Sequence, residues 1–339
     1  MNTFQLTRHL SLVLLLFALL LLTGVPFAQA QQRSLPHTAG QITEYPLPPG
    51  HNPWGSIASG PDGNLWFLEY PGNRVGKMTT HGSYTEYSIP TPDSRPVGIT
   101  AGPDGNLWFT EWWGNKIGKI TTNGKITEYL IPTPNAFPAN ITTGPDGNLW
   151  FAEYAGDKIG KITTSGQITE YSLPHGGGPF GITVGPDGNL WFTEYDGVRR
   201  LGRITLSGQI SEYPIHYTSR KCTKGGVADP YGITSGPDGN LWFTTTGFYG
   251  CIGKMTLQGQ FTTYPIPGPS DPQGITTGPD GRLWFTEQVG AIGRVTIKGK
   301  FRQYSFSGTA QPDGITVGPD TNLWFVAPGD DAIGTITWS

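Results

Sequence analysis

The ten residues GPDGNLWFTE, from Gly102 to Glu111, recur in close copies beginning at Gly60, Gly144, Gly185, Gly236, Gly278 and Gly318. The copies lie 42, 42, 41, 51, 42 and 40 residues apart. A period near forty is that of a four-stranded propeller blade. Each unit divides into four short segments, as the second shows. Gly98-Ile99-Thr100 leads into the turn signal Pro103-Asp104-Gly105. Leu107-Trp108-Phe109 is a continuous apolar run, as in a strand buried on both faces. Ile117 to Thr121 follows the Gly114-Asn115 turn, and Asn123-Gly124 is a hairpin signal. Lys125 to Tyr129 alternates like an outer strand with one wet face. No segment sustains a helical period. The last unit ends at Trp338 without an outer strand, while a spare strand, residues 41–45 (QITEY), precedes the first. The expected fold is all-β: a seven-bladed propeller of four-stranded blades over 41–339, closed by that strand completing the last blade. Closure leaves no sheet edge unpaired. A linear β-solenoid is the alternative, and it has no use for the offset strand.

Residues 1–30 lie outside the repeat. Arg8 and His9 precede an apolar run from Leu10 to Leu22, and Ala28-Gln29-Ala30 closes the segment. This describes a secretory signal peptide cleaved after Ala30; the run is short for a membrane span. The expectation is a secreted or extracytoplasmic protein, with residues 31–40 as an N-terminal extension, no membrane span in the mature chain, and a monomeric state. Net charge is −3, which excludes an electrostatic nucleic-acid binder. The 50 glycines and 30 prolines sit at repeated positions and so mark turns rather than disorder. Two cysteines fit neither a disulfide-rich scaffold nor a zinc site. Cys222 lies in the longest junction, Tyr213 to Gly232, and Cys251 in another loop of the same blade, so an export route permits a disulfide between them.

Strand alternation sorts the loops onto two faces. The GPDGN and TTNGK turns are short and uniform. The opposite face varies in length and residue type, which marks it as the functional one. There the residue after each loop proline is Trp54, Val97, Ala139, Phe180, Tyr231, Gln273 and Asp313, expected to ring the mouth of a central channel. After each Trp-Phe pair come Glu69, Glu111, Glu153, Glu194, Thr245, Glu287 and Ala327, several beside an aromatic such as Trp112, Tyr154 or Tyr195. A glutamate repeated five times reads first as scaffold, paired with Lys, Arg or backbone N–H. As a set, the aromatics and carboxylates suit a small molecule, glycan, peptide or cationic ligand. A lone Asp-Gly between strands is a turn before it is a calcium site. His51, His175 and His216 lie in the same loops and read as polar loop residues before they read as metal ligands.

The stretch from Gly98 to Ala136, GITAGPDGNLWFTEWWGNKIGKITTNGKITEYLIPTPNA, closely resembles the repeat of the virginiamycin B lyase family, and the likeness covers the mature chain. It is more specific than the looser likeness to NHL-repeat or gluconolactonase propellers. The resemblance implies a seven-bladed propeller and a Mg2+-dependent lyase that opens streptogramin B depsipeptides by elimination. A base removes the proton alpha to the carbonyl, and the ester oxygen leaves. It further implies Pro-His-Gly or Pro-His-Ala in the last two junctions, a Glu before the last of those prolines, and another Glu after the last Trp-Phe. This chain has Gln273 in DPQG, Gln311 and Asp313 in QPDG, and Ala327-Pro328 at the fourth place. Gln is no general base near neutral pH and a poorer metal ligand than Glu. The sequence therefore reads as a lyase-like propeller that binds a ligand without the family's ring opening. A divergent lyase or hydrolase using Asp313 and the rim glutamates, with Asp330 or Asp331 nearby, is the second reading. A protein-interaction scaffold is the third.

Overall fold

A computed structural model describes residues 40–223, 228–306 and 310–338. Apart from Gly40, the expected signal peptide and extension fall outside the described residues, as do Lys224, Gly225 and Gly226 of the long junction. Among the described residues, no helix is long and apolar enough to cross a membrane.

The chain forms seven four-stranded antiparallel sheets. The strand β1 (Ile42–Pro46) precedes the first blade, formed by β2 (Pro53–Ser59), β3 (Leu65–Glu69), β4 (Arg74–Met78) and β5 (Tyr84–Ser88). The second blade is β6 (Pro96–Ala101), β7 (Leu107–Glu111), β8 (Lys116–Ile120) and β9 (Ile126–Leu130). Strands β10–β13, β14–β17, β18–β21 and β22–β25 repeat the pattern over 138–172, 179–214, 230–265 and 272–305. The seventh sheet joins β26 (Ile315–Val317), β27 (Leu323–Ala327) and β28 (Ala332–Ile336) to β1, in the order β1-β28-β27-β26.

The LWF run explains why the blades pack. Trp66 and Leu68 of the first blade face Leu107 and Phe109 of the second, all fully buried, and the same apolar cluster recurs at each junction. Strand alternation puts Trp on one face and Leu and Phe on the other, so each blade carries both halves of the contact. Gly118 has to be glycine for this: a Cβ there would lie 2.1 Å from the Phe109 ring. The turn aspartate is fixed by its own blade. Asp104 Oδ1 accepts the Trp108 indole N–H at 3.0 Å, and its other oxygen accepts the Asn106 amide at 2.8 Å. Burial pulls this carboxyl up. The two hydrogen bonds and Lys119 outweigh burial and hold it below the usual range. The same Asp–Trp bond forms in all seven turns.

Neighbouring blades are also joined near the channel. The Gly98 N–H donates to Thr110 Oγ1 at 2.9 Å, and Thr110 Oγ1 donates to the Ala139 carbonyl of the third blade at 2.6 Å. Thr193, Thr244 and Thr286 repeat this relay. The ring closes where β1 pairs with β28, from Ile42 opposite Ile336 to Pro46 opposite Ala332. Tyr45 stacks on Trp324 at 5.4 Å, and with Leu47 it packs against Leu65, Phe67 and Met78 of the first blade.

Cys222 and Cys251 are disulfide-bonded, with Cα atoms 5.5 Å apart. The bridge closes a loop of 29 residues, which restricts the unfolded chain by about 3 kcal/mol. Cys222→Ser with Cys251→Ser should therefore lower the unfolding free energy by that order and shift the denaturant midpoint down, measured against the unreduced parent. An unchanged midpoint would mean that the insert is held by Tyr217 and Thr218 contacts alone.

Candidate ligand-binding face

The variable loops stand on one side of the ring, where each inner strand begins. Between the second and fifth blades their aromatic side chains touch in series. Trp112 stacks on Phe137 (centroids 5.6 Å) and meets Tyr154 at 5.3 Å. Phe180 lies 6.3 Å from Trp112, 5.7 Å from Tyr195 and 4.5 Å from Tyr231. Trp112, Tyr154, Tyr195 and Tyr231 are only partly buried, so the cluster presents ring surface at the mouth. Toward the first blade a second set follows: Trp54 lies 6.5 Å from Tyr70, and Arg95 bridges Tyr70 (Nη1 to hydroxyl, 3.2 Å) and the Trp113 ring (3.3 Å).

The sixth and seventh blades close the mouth with polar groups. Gln273 is buried, and its Nε2 donates to Asp271 Oδ1 at 3.2 Å. Asp313 is 2 % exposed and accepts the Gly55 N–H on Oδ2 at 3.0 Å, across the seam between first and last blades. Burial pushes the Asp313 carboxyl up to about 7, only partly offset by that bond. Asp313 and Tyr231 line one cavity of about 180 Å³ at the channel entrance. One isoleucine from each blade, from Ile57 to Ile315, forms its wall, and Ser56 Oγ donates to Asn140 Oδ1 at 2.8 Å beside it. Gln311 is exposed, with a left-handed φ of 43°.

Of the seven residues expected to ring the mouth, Val97, Tyr231 and Asp313 line the cavity and Trp54, Ala139, Phe180 and Gln273 do not, with Trp54 the one displaced by a change of register. The shift in register between β2 and β3 spans Pro53 to Ile57, one residue more than Pro96 to Ile99 in the next blade. Gly55 lines the cavity instead, and Trp54 leans toward Tyr70.

The five glutamates after Trp-Phe are fully buried beneath the loops, not displayed on the rim. Each of the first four faces a second glutamate on its outer strand with a cation between them: Glu69–Arg74–Glu86, Glu111–Lys116–Glu128, Glu153–Lys158–Glu170 and Glu194–Arg200–Glu212. The outer partner ties down the preceding loop. Glu128 accepts Thr91 N and Oγ1, both at 2.9 Å, and Glu170 accepts Thr133 N at 2.9 Å. Neither Glu111 nor Glu153 has a hydrogen-bond partner on either carboxyl oxygen among the described residues. Burial first, then the facing carboxylate, raises both to about 8, so they sit there as neutral acids. Burial also raises Glu194 and Glu287 to about 7.

The three histidines are dispersed. His175 pairs with Glu212, and His216 packs against Phe261. His51 Nδ1 lies 3.0 Å from Glu69 and 3.2 Å from Glu86, with the Tyr84 hydroxyl at 3.0 Å. This group brings three potential metal-ligand side chains together. Arg74 already supplies the neutralising positive charge, at 3.5 Å from Glu69 and 3.6 Å from Glu86.

These shifts fix the sign of the pH dependence. Asp313, Glu111, Glu153, Glu194 and Glu287 ordinarily titrate at 3.8 or 4.5 but hold their protons to about 7–8 when folded. Across that interval the folded state binds more protons than the unfolded chain, so stability falls as pH rises. The turn aspartates act oppositely, because their depressed values make stability fall as pH drops through the acid range below 3.8. The melting temperature should thus be higher near pH 5 than near pH 8, and Asp313→Asn should reduce the difference. A flat profile from pH 5 to 8 would contradict these assignments.

A sequence profile of the virginiamycin B lyase family matches residues 27–224 and 222–339. A solved streptogramin B lyase is 38% identical, with 88% of this chain and 98% of that chain covered at a TM-score of 0.80. A catalytically inactive histidine-to-alanine variant of virginiamycin B lyase from Staphylococcus aureus, solved with quinupristin, is also 38% identical, with 88% and 99% covered at 0.80. Hydrazine synthase of Kuenenia stuttgartiensis, 15% identical over 86% of this chain and 97% of that chain with a TM-score of 0.72, shares the fold alone. No match is found among curated proteins.

Proposed function

The chain belongs to the virginiamycin B lyase family, and on that premise we propose that it binds a small ligand at the aromatic mouth of the propeller without opening a streptogramin ring. The reading is supported chiefly by what stands at the two Pro-His positions that the resemblance implies. Gln273 is not a base, and the Asp313 carboxylate is buried against the Gly55 amide. A histidine-to-alanine change is what describes the inactive relative, and neither of the last two junctions here contains Pro-His; the one such junction, Pro174-His175-Gly176, leads into the fourth blade, where His175 pairs with Glu212. The donor set does not fit Mg2+ either, since this hard ion needs several oxygen ligands in octahedral geometry. Ala327 is a buried alanine, Gln311 offers an amide, and the Asp331 carboxylate accepts Gly50 and Asn52 amides at 3.1 and 2.8 Å.

The apolar leader over residues 10–22 and the Ala28-Gln29-Ala30 ending support export to an extracytoplasmic compartment. Protection of ribosomes is ordinarily a cytoplasmic task, so an exported protein is poorly placed for it.

One observation favours the second reading, a divergent lyase. Asp313 titrates near neutrality and lines the same cavity as Tyr231, which suits a general base. Titration with quinupristin followed by tryptophan fluorescence tests the binding half of the proposal. The expected result is a saturable change, reduced severalfold or more by Trp112→Phe and by Tyr154→Leu. No saturable change would leave the interaction-scaffold reading in its place for this ligand class.

A further inference from the structure

We infer that the ligand taken by this face carries a positive charge, as an organic ammonium seated on the Tyr154–Tyr195–Tyr231 rings and facing aspartates rather than lysines or arginines. The inference rests on the proposed binding role and narrows it. Three observations carry it.

The rings are continuous across blades, with Tyr195 5.9 Å from Tyr231 and 6.5 Å from Tyr154. Tyr154 and Tyr195 are partly open, which leaves aromatic surface with its negative quadrupole at the mouth, and the Tyr231 phenol lies deeper. Aspartates from different blades surround them. The Gly178 Cα is wedged between the Tyr154 ring and the Asp196 side chain, since a Cβ there would lie 2.9 and 3.0 Å from them. Asp196 is exposed, and Asp313 lines the same cavity as Tyr231. The field is felt by the phenols. Burial is the largest cause that raises Tyr154, Tyr195 and Tyr231, and the aspartates add to it in each case.

Among the described residues, the arginines nearest these rings are already engaged. Arg199 Nε is 3.4 Å from Asp229, and Arg95 is held between Tyr70 and Trp113. An anion would meet like charge here. A neutral flat ligand would gain from the rings but nothing from the aspartates. An ammonium gains from both, by attraction to the π faces and by the summed field of carboxylates in a partly desolvated site.

The test compares choline with 3,3-dimethylbutan-1-ol, which has the same shape without the charge, by calorimetry or NMR titration of the purified protein. Choline should bind about tenfold tighter than the alcohol. Asp196→Asn should weaken choline severalfold and leave the alcohol unchanged, because this exposed carboxylate is removed without disturbing the packed rings. Raising the salt concentration should act in the same direction. Equal binding of the two probes overturns the charge inference while the binding role stands. A face that binds quinupristin but neither small probe also overturns the inference alone. Absence of all three overturns both.

Discussion

A variant that begins at Leu47, and so lacks β1, should lose on the order of 5 kcal/mol of stability relative to one that begins at Gly40. The removed strand supplies five ladder positions to β28, from Ile42 to Pro46. It also removes Tyr45, 4 % exposed, from its stack on Trp324. Full burial of one such side chain contributes about 1.5–3 kcal/mol, and each lost backbone hydrogen bond about 1 kcal/mol. The damage spreads beyond the seventh blade because Tyr45 belongs to the same apolar cluster as Ile57, Leu65, Phe67 and Met78 of the first. The Asp313–Gly55, Gly314–Gly55, Ser59–Val317 and Asn52–Asp331 contacts at the same seam, with the apolar packing of Ile57 and Phe67 against the last blade, would then have to hold the ring. Paired denaturation curves of the two variants read the difference directly. Equal midpoints would mean that closure contributes little and that the six internal junctions suffice.

Most of the fold could be read from the sequence because the repeat writes one physical contact seven times. The LWF run carries both halves of the interface, the Asp four residues before each Trp holds its indole, and the unmatched QITEY at the start points to closure. The site was legible only in part. Trp112, Tyr154, Phe180, Tyr195 and Tyr231 meet as one cluster, but their contiguity depends on side-chain reach across blades, which spacing does not encode. Phe137 precedes its loop proline, whereas the repeat marks the residue after it. Asn140 and Ser56 replace the glycine of the usual G-I-T, a departure visible in PANIT and WGSIA. Trp54 was misplaced on the ring because one extra residue in β2 shifts the register. Depth was the hardest quantity to see. Glu111 follows the Trp-Phe pair at the strand end, yet the Gly114 turn folds over it, so close that a Cβ on that glycine would lie 2.6 Å from the carboxyl.

The burial of those glutamates bears on chemistry as well as packing. Carboxyls locked beneath loops and paired with Glu128, Glu170 or Glu212 do not reach a ligand at the mouth, which leaves Asp313 as the acid that lines the cavity. Loss of the histidine positions is expected to have a large effect on rate, because general base catalysis alone is worth about 10²–10⁴-fold. The amide at Gln273 supplies no such base, which leaves Asp313 as the group that any residual elimination would have to use.

The measurement that bears most directly on the account is incubation of the purified protein at high concentration with quinupristin and Mg2+, read by fragmentation mass spectrometry and by antibacterial potency. Both readouts are needed because elimination opens the ring without changing the mass. The account predicts an intact ring and undiminished potency after prolonged incubation. A linearised product that disappears in Asp313→Asn would contradict it, and would make Asp313 the base of a lyase that dispenses with the family's histidines.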